Sequence, residues 1–300
     1  MAPHGPVLAA TDLSESGDEA LRQAHALAAR DGRRLIVLGV VPNLLKDDPA
    51  FPHLNVHVSA QTAGVKARAV ESAMARVAAL TGRGPDDVVL TIEEGVPATV
   101  IVARAEAEQA SLVVLGAHTP TARDPHPPLG PVVEAVMRHA HSPVLLARRC
   151  PQTQHVLVAT DFSDPSLPAV EAAVTEARKR QSSLAILHCL ELGSLATLAE
   201  GPFDAPVVVA EPVVNELREV ATRRLAQALT RFGASGETVL VEGAPAAVIP
   251  IEAAARDVDL LVIGTVGKSG LRRLLLGSVA EAVARRASCS VLIVRLHRER

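Results

Sequence analysis

The stretch "GTVGKSGLRRLLLGSVAEAV", Gly264–Val283, decides how the chain is read. It contains Gly267-Lys268-Ser269, the ending of a phosphate-binding P-loop. That loop needs a glycine, four further residues and then Gly-Lys-Ser/Thr, so that successive backbone N–H groups wrap the phosphates. The required position holds Val262, inside an apolar run, and Gly264 comes too late. A P-loop also follows the first strand of its domain, whereas this one follows the fourth strand-like run. The stretch is better read as a strand end at Gly264, a loop through Gly267, and a helix opening at Gly277-Ser278. Glycines let a ligand approach the backbone. The N–H groups of Ser278 and Val279 at a helix start, with the Ser278 hydroxyl, form an anion site. Lys268, Arg272 and Arg273 bring positive charge to the same loop. On these residues alone, a phosphate cradle and a glycine-rich turn with solvated basic residues both stand.

Outward from this stretch, the chain is written twice. "PVLAATDLSESGDEALRQA" near the start returns as "HVLVATDFSDPSLPAVEAA" from His155. "LTIEEGVPATVIVARAEA" returns as "VLVEGAPAAVIPIEAAA", "ASLVVLGAHT" as "VDLLVIGTVG", and "SPVLLARR" as "CSVLIVRL". The period is too long for a solenoid unit, so each copy is a whole domain. The seam is "RRCPQTQ", Arg148 to Gln154. We therefore expect domains at 1–149 and 150–300, packed together because the linker is short.

Within each copy, strand and helix patterns alternate. The strands read as unbroken Val/Leu/Ile runs, as when both faces of a parallel sheet are covered. They are expected at Val7–Ala10, Leu35–Val41, Val88–Ile92, Leu112–Leu115 and Val144–Ala147. In the second copy they are expected at Val156–Ala159, Leu184–Leu190, Thr238–Val241, Leu260–Ile263 and Val291–Val294. Leu21, Ala24, Leu27 and Ala28 share one helical face. Ser16 with Glu19 reads as a capping box before them, and Pro97 and Pro245 suit first helical turns. The fold class is α/β: two tandem doubly wound domains, each a five-stranded parallel sheet flanked by about four helices. Such sheets take ligands beyond the carboxyl ends of their strands, at the topological switch point. Irregular stretches are expected at Pro42–Ala60, with His53 and His57, and at Gly193–Pro206.

Composition narrows the function classes. The chain has no Trp, no Tyr and only Phe51, Phe162, Phe203 and Phe232, too few aromatics for a base-stacking platform. A formal net charge of -3 gives no global attraction to nucleic acid or anionic lipid. Neither is expected as a partner. Cys150, Cys189 and Cys289 form no CxxC pair, so no disulfide framework or zinc site is indicated. The start lacks a signal-peptide pattern and no apolar run is long enough to span a membrane. A cytoplasmic location is the expectation.

Gly-x2-Gly-x9-Gly-Ser followed by "VAEAVARRASCSVLIVR" resembles the nucleotide-binding signature of the universal stress protein family. "ATDLS" and "ATDFS" after the first strand of each copy resemble its opening motif. The resemblance covers nearly the whole chain as two tandem copies. It departs at Ser290, where the family usually has proline; Pro143 keeps that feature in the first copy. The resemblance implies ATP or ADP as ligand, with magnesium optional and no metal site in the protein itself. It places Ala159, Thr160 and Asp161 by ribose and adenine, and backbone near His188–Cys189 on the adenine. Gly264, Gly267, Lys268, Arg272, Gly277, Ser278 and Val279 would hold ribose and phosphates. For Asp161 the competing account is a turn or helix-capping role. The resemblance also implies pseudo-two-fold pairing of Val144–Ala147 with Val291–Val294 within one chain, leaves a further homodimer open, and suggests a protein partner of unknown identity.

The first copy keeps Asp12 but not the cradle. In "GAHTPTARDPHPPLGPVVEAV", Gly116 and Gly130 remain, Thr119 replaces the middle glycine and Pro131 takes the place of Ser278. Proline has neither N–H nor hydroxyl, so two phosphate donors vanish together. This copy is expected to be structural or partner-binding. His118 with His126, and His139 with His141, lack the cysteine or carboxylate support of a metal site. No nucleophile–base–orienter set appears: Ser14 and Ser163 lack the G-x-S-x-G elbow. Three readings remain: a nucleotide-binding stress or signalling protein, a slow ATPase or autophosphorylating enzyme, and a ligand-free structural stress protein.

Overall fold

The computed structural model describes residues 5–42, 54–82, 88–118, 124, 127–150, 153–192, 210–265 and 276–295. The chain divides into two compact units, one built from Met1–His118 with Pro128–Arg149, the other mainly from Cys150–Arg300.

The first unit contains β1 (Val7–Thr11), α1 (Glu15–Arg30), β2 (Leu35–Pro42), α2 (Leu54–Thr81), β3 (Val89–Gly95), α3 (Pro97–Ala107), β4 (Leu112–Gly116), α4 (Pro131–His139) and β5 (Val144–Ala147). Its strands lie in the order β3-β2-β1-β4-β5, with every described pairing parallel. The second unit repeats the plan with β6 (His155–Ala159), a 3₁₀ turn (Asp164–Ser166), α5 (Leu167–Arg180), β7 (Ser183–Leu190), α6 (Glu211–Arg231), β8 (Glu237–Glu242), α7 (Pro245–Ala255), β9 (Leu260–Gly264), α8 (Ser278–Arg286) and β10 (Ser290–Val294). Its order is β8-β7-β6-β9-β10, again parallel. In each sheet the chain first runs outward from its opening strand, then returns to that strand's other side. This reversal is the switch point at which a crevice opens beyond the strand ends.

Central strands are buried along nearly their whole length, which explains their unbroken apolar sequences: Val7–Thr11 and Leu260–Gly264 have no exposed position. Leu8, Leu21, Ile36, Leu38, Leu145 and Leu146 fill the first core, and Leu157, Ile186, Leu187 and Leu225 the second. These are branched aliphatics with few rotamers, so the cores reach tight packing without aromatic rings. Among the described residues, no helix is long and apolar enough to cross a membrane.

Two expectations need correction. Helix α1 is capped by Ser14, whose side chain accepts the Gly17 N–H at 3.2 Å, and not by Ser16. Glu19 instead accepts hydrogen bonds from Arg22 and Gln23. The cap lies earlier because the turn after β1 already bends the chain at Asp12. The stretch expected as irregular to Ala60 is helical from Leu54; its apolar spacing is too weak to announce a helix. Residues 43–53 and Gly193–Pro206 lie outside the described residues. Pro97 and Pro245 open α3 and α7 as expected. Inside α7, Pro250 has no N–H for the Ala246 carbonyl. That carbonyl accepts the Arg286 guanidinium at 3.3 Å, which ties the end of α8 to α7.

The end of β4 passes very close to the start of α1: a Cβ on Gly116 would stand 2.2 Å from the Ser16 carbonyl oxygen. That contact is with backbone, so no side-chain rotation relieves it. Gly116→Ala is expected to cost about 1–3 kcal/mol, read as a lower urea midpoint at unchanged slope.

Candidate functional site

The turn leaving β6 is held by its own side chains. Thr160 Oγ1 accepts the Phe162 N–H at 3.1 Å, and Asp161 Oδ1 accepts the Ser163 N–H at 3.0 Å. Phe162 is thereby held at φ 64°, left-handed without being glycine. Thr160 Oγ1 also lies 2.8 Å from Ser166 Oγ, which donates to the Ser163 carbonyl. Asp161 is a turn residue in the sense anticipated for it, and it stands half-buried just beyond the end of β6.

Neighbouring elements complete the rim. Thr160 N donates to Leu187 O at 2.9 Å, so the end of β7 lies beside the turn. His188 is buried, and its Nδ1 stands 2.8 Å from Thr160 O. Its ring lies 4.1 Å from that of Phe162, and the Arg224 guanidinium covers the Phe162 ring at 4.6 Å. Cys189 points the other way, as strand alternation requires. Burial first, then the charges of Glu191 and Glu252, push its thiol up to about 12.

On the other side of β6, β9 ends at Gly264. Thr265 is buried, and its carbonyl accepts the Gly277 N–H at 2.7 Å. This bond returns the chain to the strand end just as α8 begins. A Cβ on Gly277 would fall 2.9 Å from the same carbonyl, so glycine suits the return. Ser278 is exposed at the first position of α8, whose Gly277 cap offers no side-chain hydrogen bond. The opening N–H groups of a helix have no acceptor within it. Exposed N–H groups and a hydroxyl at a positive helix end suit an anion.

The expected residues Ala159, Thr160, Asp161, Cys189, Gly264, Gly277, Ser278 and Val279 thus all belong to the carboxyl side of one sheet. Gly267, Lys268 and Arg272 lie outside the described residues. Sequence reading missed the Thr160–Ser166 hydroxyl pair and the Phe162–His188–Arg224 stack. The repeat carried a signal for them, because Leu13, Gly17 and Gly39 occupy the corresponding places in the first unit.

In the first unit the turn is the same: Thr11 Oγ1 accepts Leu13 N and Asp12 Oδ1 accepts Ser14 N, each at 3.0 Å, with Leu13 at φ 63°. Its helix α4, however, opens on Pro131 after Gly130 at φ 80°, without a side-chain cap. His141 Nδ1 pairs with the Glu106 carboxylate, and His126 is outside the described residues.

The sequence profile of the universal stress protein family matches residues 4–148 and again 152–295. The chain belongs to the universal stress protein family. It carries two copies of the family domain in tandem. The universal stress protein YxiE of Bacillus subtilis is 35% identical over 147 residues, covering 47% of this chain and 97% of that protein. A universal stress protein of Methanocaldococcus jannaschii is 34% identical over 141 residues, covering 47% of this chain and 81% of its own. A crystal structure of a universal stress protein from Archaeoglobus fulgidus shares the fold over 97% of this chain and 98% of its own, with a TM-score of 0.64 and 20% identity.

The Cys189 thiol gives a measurable consequence. It ionises near 9.0 when exposed and near 12 in the folded protein. Between those values the unfolded chain holds fewer protons, so stability present below the lower value is lost as pH rises toward the upper. Stability is expected to fall between about pH 9 and 12 less steeply in Cys189→Ala than in the parent, read by urea denaturation. At about pH 8 iodoacetamide should label Cys150 well before Cys189.

Proposed function

We propose that the second domain of this universal stress protein binds an adenine nucleotide, ATP or ADP, and that the chain acts in a stress or signalling response through a protein partner. The observation that carries the reading is the contrast between two helix starts on one fold. Helix α8 opens on Ser278 and α4 opens on Pro131. The first presents donors to an anion; the second has lost an N–H and a hydroxyl together. Base and ribose would lie across the turn Thr160–Asp161 and the end of β7, and the phosphates at Gly277–Val279. Magnesium would arrive with the nucleotide, held by its phosphates.

One tight nucleotide per chain is expected. Calorimetric titration giving two equivalent sites would show that Pro131 is tolerated and would overturn the assignment to the second domain. Nucleotide released by denaturing freshly purified protein identifies the ligand: ATP supports a sensor, ADP a slow hydrolase. Protein that is empty and takes up no added ATP would remove the nucleotide reading.

Ser278→Pro tests the phosphate contacts by copying the first domain. Hydrogen bonds to a charged group are worth about 1.5–3 kcal/mol each. Losing two should weaken ATP by about two to four powers of ten. Stability should hold, since proline suits a first helical turn. Adenosine, which lacks phosphates, should bind the variant as it binds the parent. An ATP affinity within about threefold of the parent would reduce Gly264–Val283 to a glycine-rich turn.

A further inference from the structure

Helix α7 carries an apolar side that stays open to solvent. Its buried residues are Ile249, Pro250 and Ala253. On the side away from them, Ala244, Ala247, Ile251 and Ala254 recur three, four and three residues apart, one line along a helix. All four are exposed. Ile251 is 64% exposed, more than any other large apolar residue among those described. The one charged residue of α7, Glu252, is engaged by Arg256 at 3.1 Å. A helix this apolar all round is ordinarily covered.

The first unit shows the same helix suited to water. Helix α3, opened by Pro97 as α7 is by Pro245, presents Thr99, Ala103 and Glu106 at the positions of Ala247, Ile251 and Ala254, all exposed. Glu106 is ion-paired with His141. A hydroxyl and a carboxylate thus flank a small residue on α3, whereas two alanines flank an isoleucine on α7. The second unit lacks the polar groups of this side and has its bulkiest apolar group at the centre. Ile251 stands as a knob with a hollow one turn away on each side.

Two charges of opposite sign border this side. Arg286 is exposed at the end of α8, and its guanidinium donates to the Ala246 carbonyl near the start of α7. Asp257 is exposed just past the end of α7, its N–H on the Ala254 carbonyl. Among the described residues neither side chain has an ion-pair partner. Ala246 and Asp257 are about three helical turns apart, so they share one flank of α7 at a separation of about 16 Å. A two-fold axis across α7 in the plane of contact sets two copies of the helix antiparallel and keeps this flank against its own counterpart. Asp257 of each copy then stands opposite Arg286 of the other, and each Ile251 enters the hollow over the other's Ala254. Antiparallel alignment also places each positive helix start beside the other's negative end.

We propose that the exposed side of α7, centred on Ile251, is where a second copy of this chain docks, antiparallel and about a two-fold axis. The inference does not rest on the nucleotide reading. Sedimentation equilibrium of the full chain is the test. One short helix from each copy makes a small interface, so a reversible dimer with Kd of about 10–100 µM is expected. Ile251→Glu should leave a monomer at about 300 µM, with an unchanged thermal melt because the side chain is exposed. Ala247→Thr with Ile251→Ala and Ala254→Glu copies α3 and should do the same. Asp257→Asn suits the left-handed backbone there, φ 48°, and removes only the charge. It should raise Kd by about threefold or more and flatten the dependence on salt. A parent chain that is monomeric at about 300 µM overturns the proposal. So does a dimer that survives Ile251→Glu or the α3 copy, or a Kd unchanged in Asp257→Asn.

Discussion

Two side-chain oxygens, from a threonine and an aspartate, hold the turn that leaves the opening strand of each domain. In the first domain they belong to Thr11 and Asp12, in the second to Thr160 and Asp161, and both pairs accept the N–H groups two residues on. This forces a left-handed residue, Leu13 or Phe162, where no glycine is present. The turn aims the following helix back across the sheet toward the fourth strand. In the first domain that return comes so close that only a glycine fits at position 116. The aspartate thus has an architectural role in both domains, as one of the two acceptors that fix the chain beyond the opening strand.

The fold was open to sequence reading because a parallel sheet covered on both faces demands continuous apolar strands, and the repeat displays the demand twice. Val144–Ala147 has the expected bounds, and the other strands differ only at their ends. The start of helix α2 was obscure because Leu54, Val56 and Val58 alternate with polar residues, a spacing of two and not a helical one. The cap of α1 was misplaced because Ser14 and Ser16 are both plausible acceptors, and only the geometry of the Asp12 turn distinguishes them. The helix start at Gly277-Ser278 was legible, since glycine and serine are favoured where a helix begins. The stack of Phe162, His188 and Arg224 was not. It joins three elements distant in sequence, and each of its members is an ordinary residue in its local context.

Duplication lets each domain act as a control for the other. Where the second has Ser278, the first has Pro131; where the first has Thr99 and Glu106, the second has Ala247 and Ala254. The same comparison applies beneath the turn. Gly17 packs against Thr11 and Asp12 so closely that a Cβ would fall 2.7 Å from Thr11 Oγ1. Ser166 occupies this place in the second domain, where its hydroxyl is bonded to Thr160 Oγ1 at 2.8 Å. The backbone plan tolerates each exchange, so these positions are free to diverge in chemistry while the strand order persists.

The Phe162 stack has an optical consequence. The chain contains neither Trp nor Tyr, so its intrinsic fluorescence is nearly dark. An indole introduced in place of Phe162 would be the sole emitter, seated against His188 and under Arg224. Imidazole and guanidinium neighbours influence indole emission, so a displacement of His188 or Arg224 would be read directly. The aliphatic core, adopted to pack two sheets without rings, leaves that single position free of background light.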